Sequence, residues 1–252
     1  MKKPVVPAEH SALTRTNHRR DEFARRLQNQ ARMIGVVAHD LRLLLFRLAL
    51  SLELANSAED DRSTLARHLD AIRAALDGST RLVDDLDDYG SLQAGQLRLI
   101  CRPVDPATIV KSALVSFAPV AAAKNVELTE HVGAALPEVL ADDKRLLQVV
   151  SNLLTNALCL TPPGGRVVVA VEGDGDAARF VVADSGPGIS KADLPHLFER
   201  YWRGTHGKYV GRGLGLAIAR DLVEGHGGQI WADNSPEGGA RISFTVRAAR
   251  TS

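Results

Sequence analysis

Residues 18 to 56 contain no proline and a single glycine. Within them, apolar side chains recur at Ile34, Val37, Leu41, Leu45, Leu48 and Leu52. Steps of three and four gather those side chains on one face only if the chain is helical. A helix from about residue 20 to 56 is roughly 55 Å long, and its stability has to come from packing against partners. "NSAEDDRS" interrupts the pattern, and Leu65, Leu69, Ile72, Leu76, Val83 and Leu86 then share a face of a second helix. Two long helices joined by a short turn make a hairpin. The apolar stripe is wider than two helices can cover, so the expectation for residues 20–92 is a homodimer that closes a four-helix bundle.

"YGSLQAGQLRLICRPVDP" ends the hairpin, and residues 93–104 read as a linker. Asp105 is placed to cap a helix whose first position is Pro106. The texture then changes to mixed elements over 105–248. "PATIVKSALVSFAPVAAAKN" and "DDKRLLQVVSNLLTNALCL" read as helices, the second capped by Asp142 or Asp143. "VELTEHV" and "EVLAD" read as short strands, "GGRVVVAVEG" and "ARFVVADS" as a hairpin. "GLGLAIARDLVEGH" reads as a helix, and "GGQIWADN" and "ARISFTVR" as a closing hairpin around "SPEGG". The fold class expected is α+β, one sheet with helices on one face. Residues 1–19 read as a flexible segment and 249–252 as a tail.

Composition narrows the function. A net charge of +1 over 252 residues leaves no electrostatic footprint for nucleic acid. Two cysteines, Cys101 and Cys159, make no disulfide framework. No run reaches the ~18 uncharged apolar residues of a membrane span, and "MKKPVVPAEH" lacks the apolar core of a signal peptide. A cytoplasmic location is expected, alone or as the soluble part of a membrane-associated protein.

Several polar residues interrupt otherwise apolar elements. His39 lies two residues from both Val37 and Leu41, so it points away from the seam. A neutral imidazole can attack an electrophile, and the adjacent Asp40 can orient the ring and take its other proton. Asn152 and Asn156 lie four apart on one face of a helix, where amide oxygens suit Mg²⁺ or a structural hydrogen bond. Asp184 ends a strand, where a carboxylate can accept from an amino group such as that of adenine. Gly186 and Gly188 let backbone approach a ligand closely. Gly211, Gly213 and Gly215 precede a helix and form a candidate anion site. The surroundings fit neither a dinucleotide fingerprint nor a P-loop, since "GRGLGL" lacks the lysine and hydroxyl that grip phosphates.

Together these stretches resemble the cytoplasmic core of a bacterial two-component sensor histidine kinase. "VVAHDLRLLLF" resembles the phosphoacceptor box, and "DKRLLQVVSNLLTNALCLTPPGG" the asparagine box. "VADSGPGIS" resembles the first glycine box, "LPHLFERYWRG" the phenylalanine box, and "GRGLGLAIARDLVEGHGG" the second glycine box. The resemblance covers residues 25 to 248 and implies a helical-hairpin dimerisation domain followed by a Bergerat-type (GHKL) α/β sandwich. It implies that His39 receives the γ-phosphoryl group of ATP with Asp40 as acid–base partner. It implies Asn156 as the Mg²⁺ ligand with Asn152 in support, and Asp184 as the reader of the adenine amino group. Gly186 and Gly188 would shape the pocket, and Phe198 would pack under a lid spanning 189–212. Gly211, Gly213, Leu214 and Gly215 would lie beside the phosphates. The implied partners are a second copy, a response-regulator receiver domain, and an upstream sensor or separate input protein.

The sequence also departs from the family pattern. Leu43 stands where a threonine or asparagine is usual and Leu44 where proline is usual. The first change predicts weak phosphatase activity, because leucine cannot position water. Cys159 and Leu160 stand where a cation and an aromatic ring are common, and Asp87 interrupts the leucine run. These departures leave open an alternative: a nucleotide-binding dimeric scaffold with little phosphotransfer. A gyrase- or chaperone-like ATPase is disfavoured by "AHD" on a long helical hairpin.

Overall fold

The computed structural model describes residues 35, 38, 41–46, 48–55, 62–93, 98–200, 202, 213–236 and 238–249. The chain divides into two compact units, Met1–Asp84 and Asp85–Ser252.

The described residues between 41 and 55 are helical and form α1; α2 runs over Arg62–Gln93. Leu44, Leu48, Ser51 and Ala55 are the half-buried side of α1. On α2 the covered positions include Ile72, Ala75 and Gly78. A Cβ added at Gly78 would lie 3.0 Å from Leu44 Cδ2, so Leu44 packs directly over the glycine. In the single chain, part of the expected seam faces outward. Of its described members, Leu48 alone is half-buried, while Leu41, Leu45 and Leu52 are exposed. Leu44 reaches α2 at a position where Gly78 carries no side chain of its own. Leu65, Leu69, Leu76 and Val83 of α2 are exposed as well. A separate exposed strip on α1 holds Leu43, Phe46 and Leu50.

The second unit begins with β1, Arg102–Val104, then α3, Pro106–Ala123, β2, Glu127–Val132, and β3, Val139–Ala141. Next come α4, Asp143–Leu160, and the hairpin β4, Arg166–Asp174, and β5, Ala177–Asp184. A short 3₁₀ turn at Leu194–His196, α5, Gly215–Gly225, β6, Ile230–Asn234, and β7, Ala240–Arg247, complete it. The main sheet has the order β2-β4-β5-β7-β6, with β2–β4 parallel and the other pairs antiparallel. β1 and β3 form a separate two-stranded ribbon. The expected single sheet is thus a sheet plus a ribbon, and residues 102–104 of the expected linker are a strand.

Local chemistry explains the helix starts. Asp105 accepts from the Ala107 amide at 2.9 Å, and Pro106 fills the first turn. Asp142, not Asp143, caps α4 through the Arg145 amide at 3.2 Å. Its other oxygen accepts from Ile100 N at 3.0 Å. His226, which ends α5, is buried; its Nε2 accepts from Asp142 N at 3.1 Å, while Nδ1–H donates to Leu222 O at 2.7 Å. One imidazole thereby ties the end of α5 to the start of α4.

The core lies between the helices and one face of the sheet. Val167, Val169 and Val171 of β4 and Ala178, Phe180 and Val182 of β5 are buried, and the residues between them are not. They meet Leu146, Val149, Val150, Leu153 and Leu154 of α4. The Phe180 and Phe244 rings stack with centroids 4.7 Å apart. Among the described residues, α3 is the one helix long and apolar enough to span a membrane by length and composition. Buried Ile109, Val110 and Ala113 place it in this core instead.

Candidate nucleotide site

Two helices and two strands converge at the end of β5. On α4, the inward Leu146–Leu158 ladder turns Asn152 and Asn156 to the side that borders α5 and β5. Asn152 Nδ2 donates to the Gly215 carbonyl at 3.1 Å, joining α4 to the first turn of α5. A Cβ at Gly215 would meet the Asn152 side chain at 3.7 Å, an ordinary contact, so the helices could sit this close without a glycine. Leu214, the residue before α5, is buried, and Gly213 has φ +67°, a conformation that favours glycine.

Asn156 and Asp184 border one open cleft. Its apolar walls include Leu160, Val182, Ile189 and Ile242. Asp184 Oδ1 accepts from Gly186 N at 2.8 Å and from Ala240 N at 3.3 Å. Both donors are spent on Oδ1, and neither occupies Oδ2. Burial pushes the Asp184 carboxyl above its ordinary value, opposed by those two amides. The packing is tight: a Cβ at Gly239, φ +86°, would run into the Asp184 carbonyl oxygen. One at Gly186 would sit 2.8 Å from Asp184 Oδ1.

The loop beyond Asp184 is held at Ile189. Its N–H donates to Asn234 Oδ1 at 2.7 Å, and its carbonyl accepts from Asn234 Nδ2 at 2.8 Å. Gly188, φ +75°, leaves room for that amide. Phe198 is half-buried against the core, and Arg200 pairs with Asp221 of α5 at 2.6 Å.

The comparisons with known proteins fall on the same residues. The family model "Histidine kinase-, DNA gyrase B-, and HSP90-like ATPase" matches residues 141–250. The structure of mycobacterial sensor histidine kinase MprB is 30% identical and superposes with a TM-score of 0.52; the match covers all of that chain and 60% of this one. This chain belongs to the sensor histidine kinase family. Full-length ShkA in complex with AMPPNP is 27% identical to this family member, with a TM-score of 0.64 over 86% of this chain and 46% of that one. The adaptive-response sensory kinase SasA of Synechococcus sp. (strain CC9902) is 33% identical over 224 residues, 88% of this chain and 57% of SasA. The chain thus spans little more than half the length of that curated relative.

Of the residues expected at the site in this histidine kinase family member, Asn156 and Asp184 share the cleft. Asn152, Leu214 and Gly215 meet at the start of α5, and Gly186 and Gly188 shape the loop after β5. His39, Asp40 and Gly211 lie outside the described residues, as does 203–212 of the expected lid. Sequence reasoning missed Ala240 and Asn234. Ala240 acts through its backbone, which no side-chain pattern reveals. Asn234 sits in a turn-rich "ADNSPEGG" run, where an asparagine reads as an ordinary turn residue.

Proposed function

We propose that this chain is an ATP-dependent histidine autokinase that passes a phosphoryl group from ATP to His39 and on to an aspartate of a response-regulator receiver domain. The observation that carries the reading is the meeting of Asn156 and Asp184 in one cleft with apolar walls, with Asn152, one helical turn from Asn156, bonded to the glycine-led start of α5. Asp184 Oδ2 would accept from the adenine amino group, and the apolar walls would take the flat faces of the base. Gly213, Leu214 and Gly215, with Gly211, would present backbone amides to the phosphates. Asn152 would support that turn through its bond to Gly215. Phe198 would pack beneath the segment that covers the nucleotide.

Mg²⁺ fits the donor set as a companion of the nucleotide. Among the described residues no group of three or more His, Cys, Asp or Glu could hold a metal by itself. Asn156 offers one neutral oxygen, which suits a hard cation held mainly by phosphate oxygens and water. When bound, the ion would neutralise charge on the phosphates. The protein's own work is alignment. An imidazole nitrogen of His39 forms a bond to the γ-phosphorus as the bond to the β–γ bridging oxygen breaks. ADP leaves, and Asp40 takes the proton from the other ring nitrogen. Transfer to the receiver then breaks the N–P bond and forms a carboxyl–phosphate bond.

The hairpin's exposed leucines support a homodimer through a four-helix bundle, and the Leu43, Phe46 and Leu50 strip supports a receiver docking beside His39. An upstream sensor or a separate protein would supply the signal. The test is incubation with γ-labelled ATP and Mg²⁺. The parent should acquire acid-labile, alkali-stable label and His39→Gln none; equal label in both would refute the assignment.

A further inference from the structure

We propose that Asn234 is a positioning residue for nucleotide binding, which sets the site's floor from the far edge of the sheet. The inference rests on the nucleotide reading above. Asn234 is the last residue of β6, the edge strand. Its carboxamide makes two hydrogen bonds to one residue, accepting from Ile189 N at 2.7 Å and donating to Ile189 O at 2.8 Å. That pattern is what a neighbouring strand would offer, so a side chain stands in for a missing backbone partner. Ile189 is buried and forms part of the cleft wall with Asn156 and Asp184.

The loop from Asp184 to Ile189 is therefore hung at two points. One is Asp184 Oδ1, which holds Gly186 N and Ala240 N. The other is Asn234, 45 residues away in sequence. Gly188 completes the fit, since a Cβ there would sit 2.9 Å from Asn234 Oδ1 at a φ of +75°. Asn234 touches the loop and not the cleft, so it acts on affinity by keeping Ile189 in place. A site that must first be ordered binds more weakly by the fraction of time it is formed.

Two variants test this with a non-hydrolysable ATP analogue and Mg²⁺ in a calorimeter. Asn234→Ala removes both bonds and should weaken binding roughly 5- to 20-fold. In autophosphorylation it should raise KM for ATP by a similar factor, with the rate at saturating ATP within about twofold of the parent. Asn234→Asp is the sharper probe. As a carboxylate it can accept from Ile189 N but sets negative charge against Ile189 O; once protonated it can donate again. Its affinity relative to the parent should be poor near pH 8 and recover near pH 5.5. The Asp184 carboxyl and the Asp233–Arg241 ion pair lie on the neighbouring strands in parent and variant alike, so the ratio of variant to parent is the quantity compared. A flat ratio across that range, or parent-like affinity in both variants while the parent binds, would overturn the proposal alone. A parent that binds no nucleotide would overturn the nucleotide reading and this proposal together. A lowered melting temperature with unchanged KM would show a structural role only and also overturn it.

Discussion

Asp184→Asn exchanges one oxygen for an NH₂ group, and the structure dictates which way the amide must face. The atom at the Oδ1 position receives two backbone N–H groups, from Gly186 and Ala240. Only the amide oxygen can take that place without leaving two donors opposed to a third, so the nitrogen is forced toward the cleft. The pocket's acceptor becomes a donor. Adenine's amino group is itself a donor, and the charge-assisted bond it makes to a carboxylate is worth about 1.5–3 kcal/mol. Its loss alone corresponds to a ~10- to 150-fold rise in Kd for ATP. A nucleotide with a carbonyl at the same position, inosine triphosphate, should gain in exchange. The assay is titration of parent and variant with non-hydrolysable analogues of both nucleotides, the readout being the ratio of their affinities. Folding provides the control. Burial raises the Asp184 carboxyl pKa, so its contribution to stability is fully present below the ordinary carboxyl value and is lost as pH rises through the folded value. Asparagine is neutral throughout, so the ligand-free variant should melt no lower than the parent at neutral pH. Unchanged preference for ATP over the inosine analogue, in a folded variant, would refute the assignment of Asp184 Oδ2 as the base reader.

Light scattering at micromolar concentration should report twice the 27.1 kDa chain mass, and the double change Leu69→Glu and Leu76→Glu should give a monomer that keeps its nucleotide affinity. His226→Ala leaves the Asp142 N–H without its acceptor and should cost about 1–3 kcal/mol, read as a lower denaturation midpoint at constant slope. Leu43→Thr or Leu43→Asn should speed loss of phosphate from the cognate phosphorylated receiver, measured with ADP present and ATP removed; rapid loss with the parent, unchanged by either substitution, would refute it.

Features whose chemistry is local were legible in the sequence. The Asp105 cap with Pro106 behind it needs only neighbours two or three residues away, and so does the Asp142 cap. The β4–β5 hairpin was legible because two valine-containing runs flank the short turn "DGD". The α3 helix ran through Pro119 as expected. What the sequence hid depends on distant partners. β1 is three residues with a proline in the middle, and only its pairing with β3 makes it a strand. On the hairpin, the packing of Leu44 over Gly78 was not legible, because a glycine carries no apolar signal. In the cleft, Asn156 and Asp184 were recognisable as polar interruptions of apolar elements. Ala240 and Asn234 were not, since each acts on a residue 45 or more positions away.

Four of the sheet's five strands come from two nearly local hairpins, β4–β5 and β6–β7, joined where β5 meets β7. Asp184 lies at the end of that joint, with one oxygen already reaching across it to Ala240. A nucleotide seated on Asp184 would act as a removable cross-link between two hairpins that are distant in sequence. Binding would then resist the local opening of this joint by mass action, before any change in global unfolding is felt. Amide hydrogens along β5 and β7 would be the first to slow their exchange when ATP arrives.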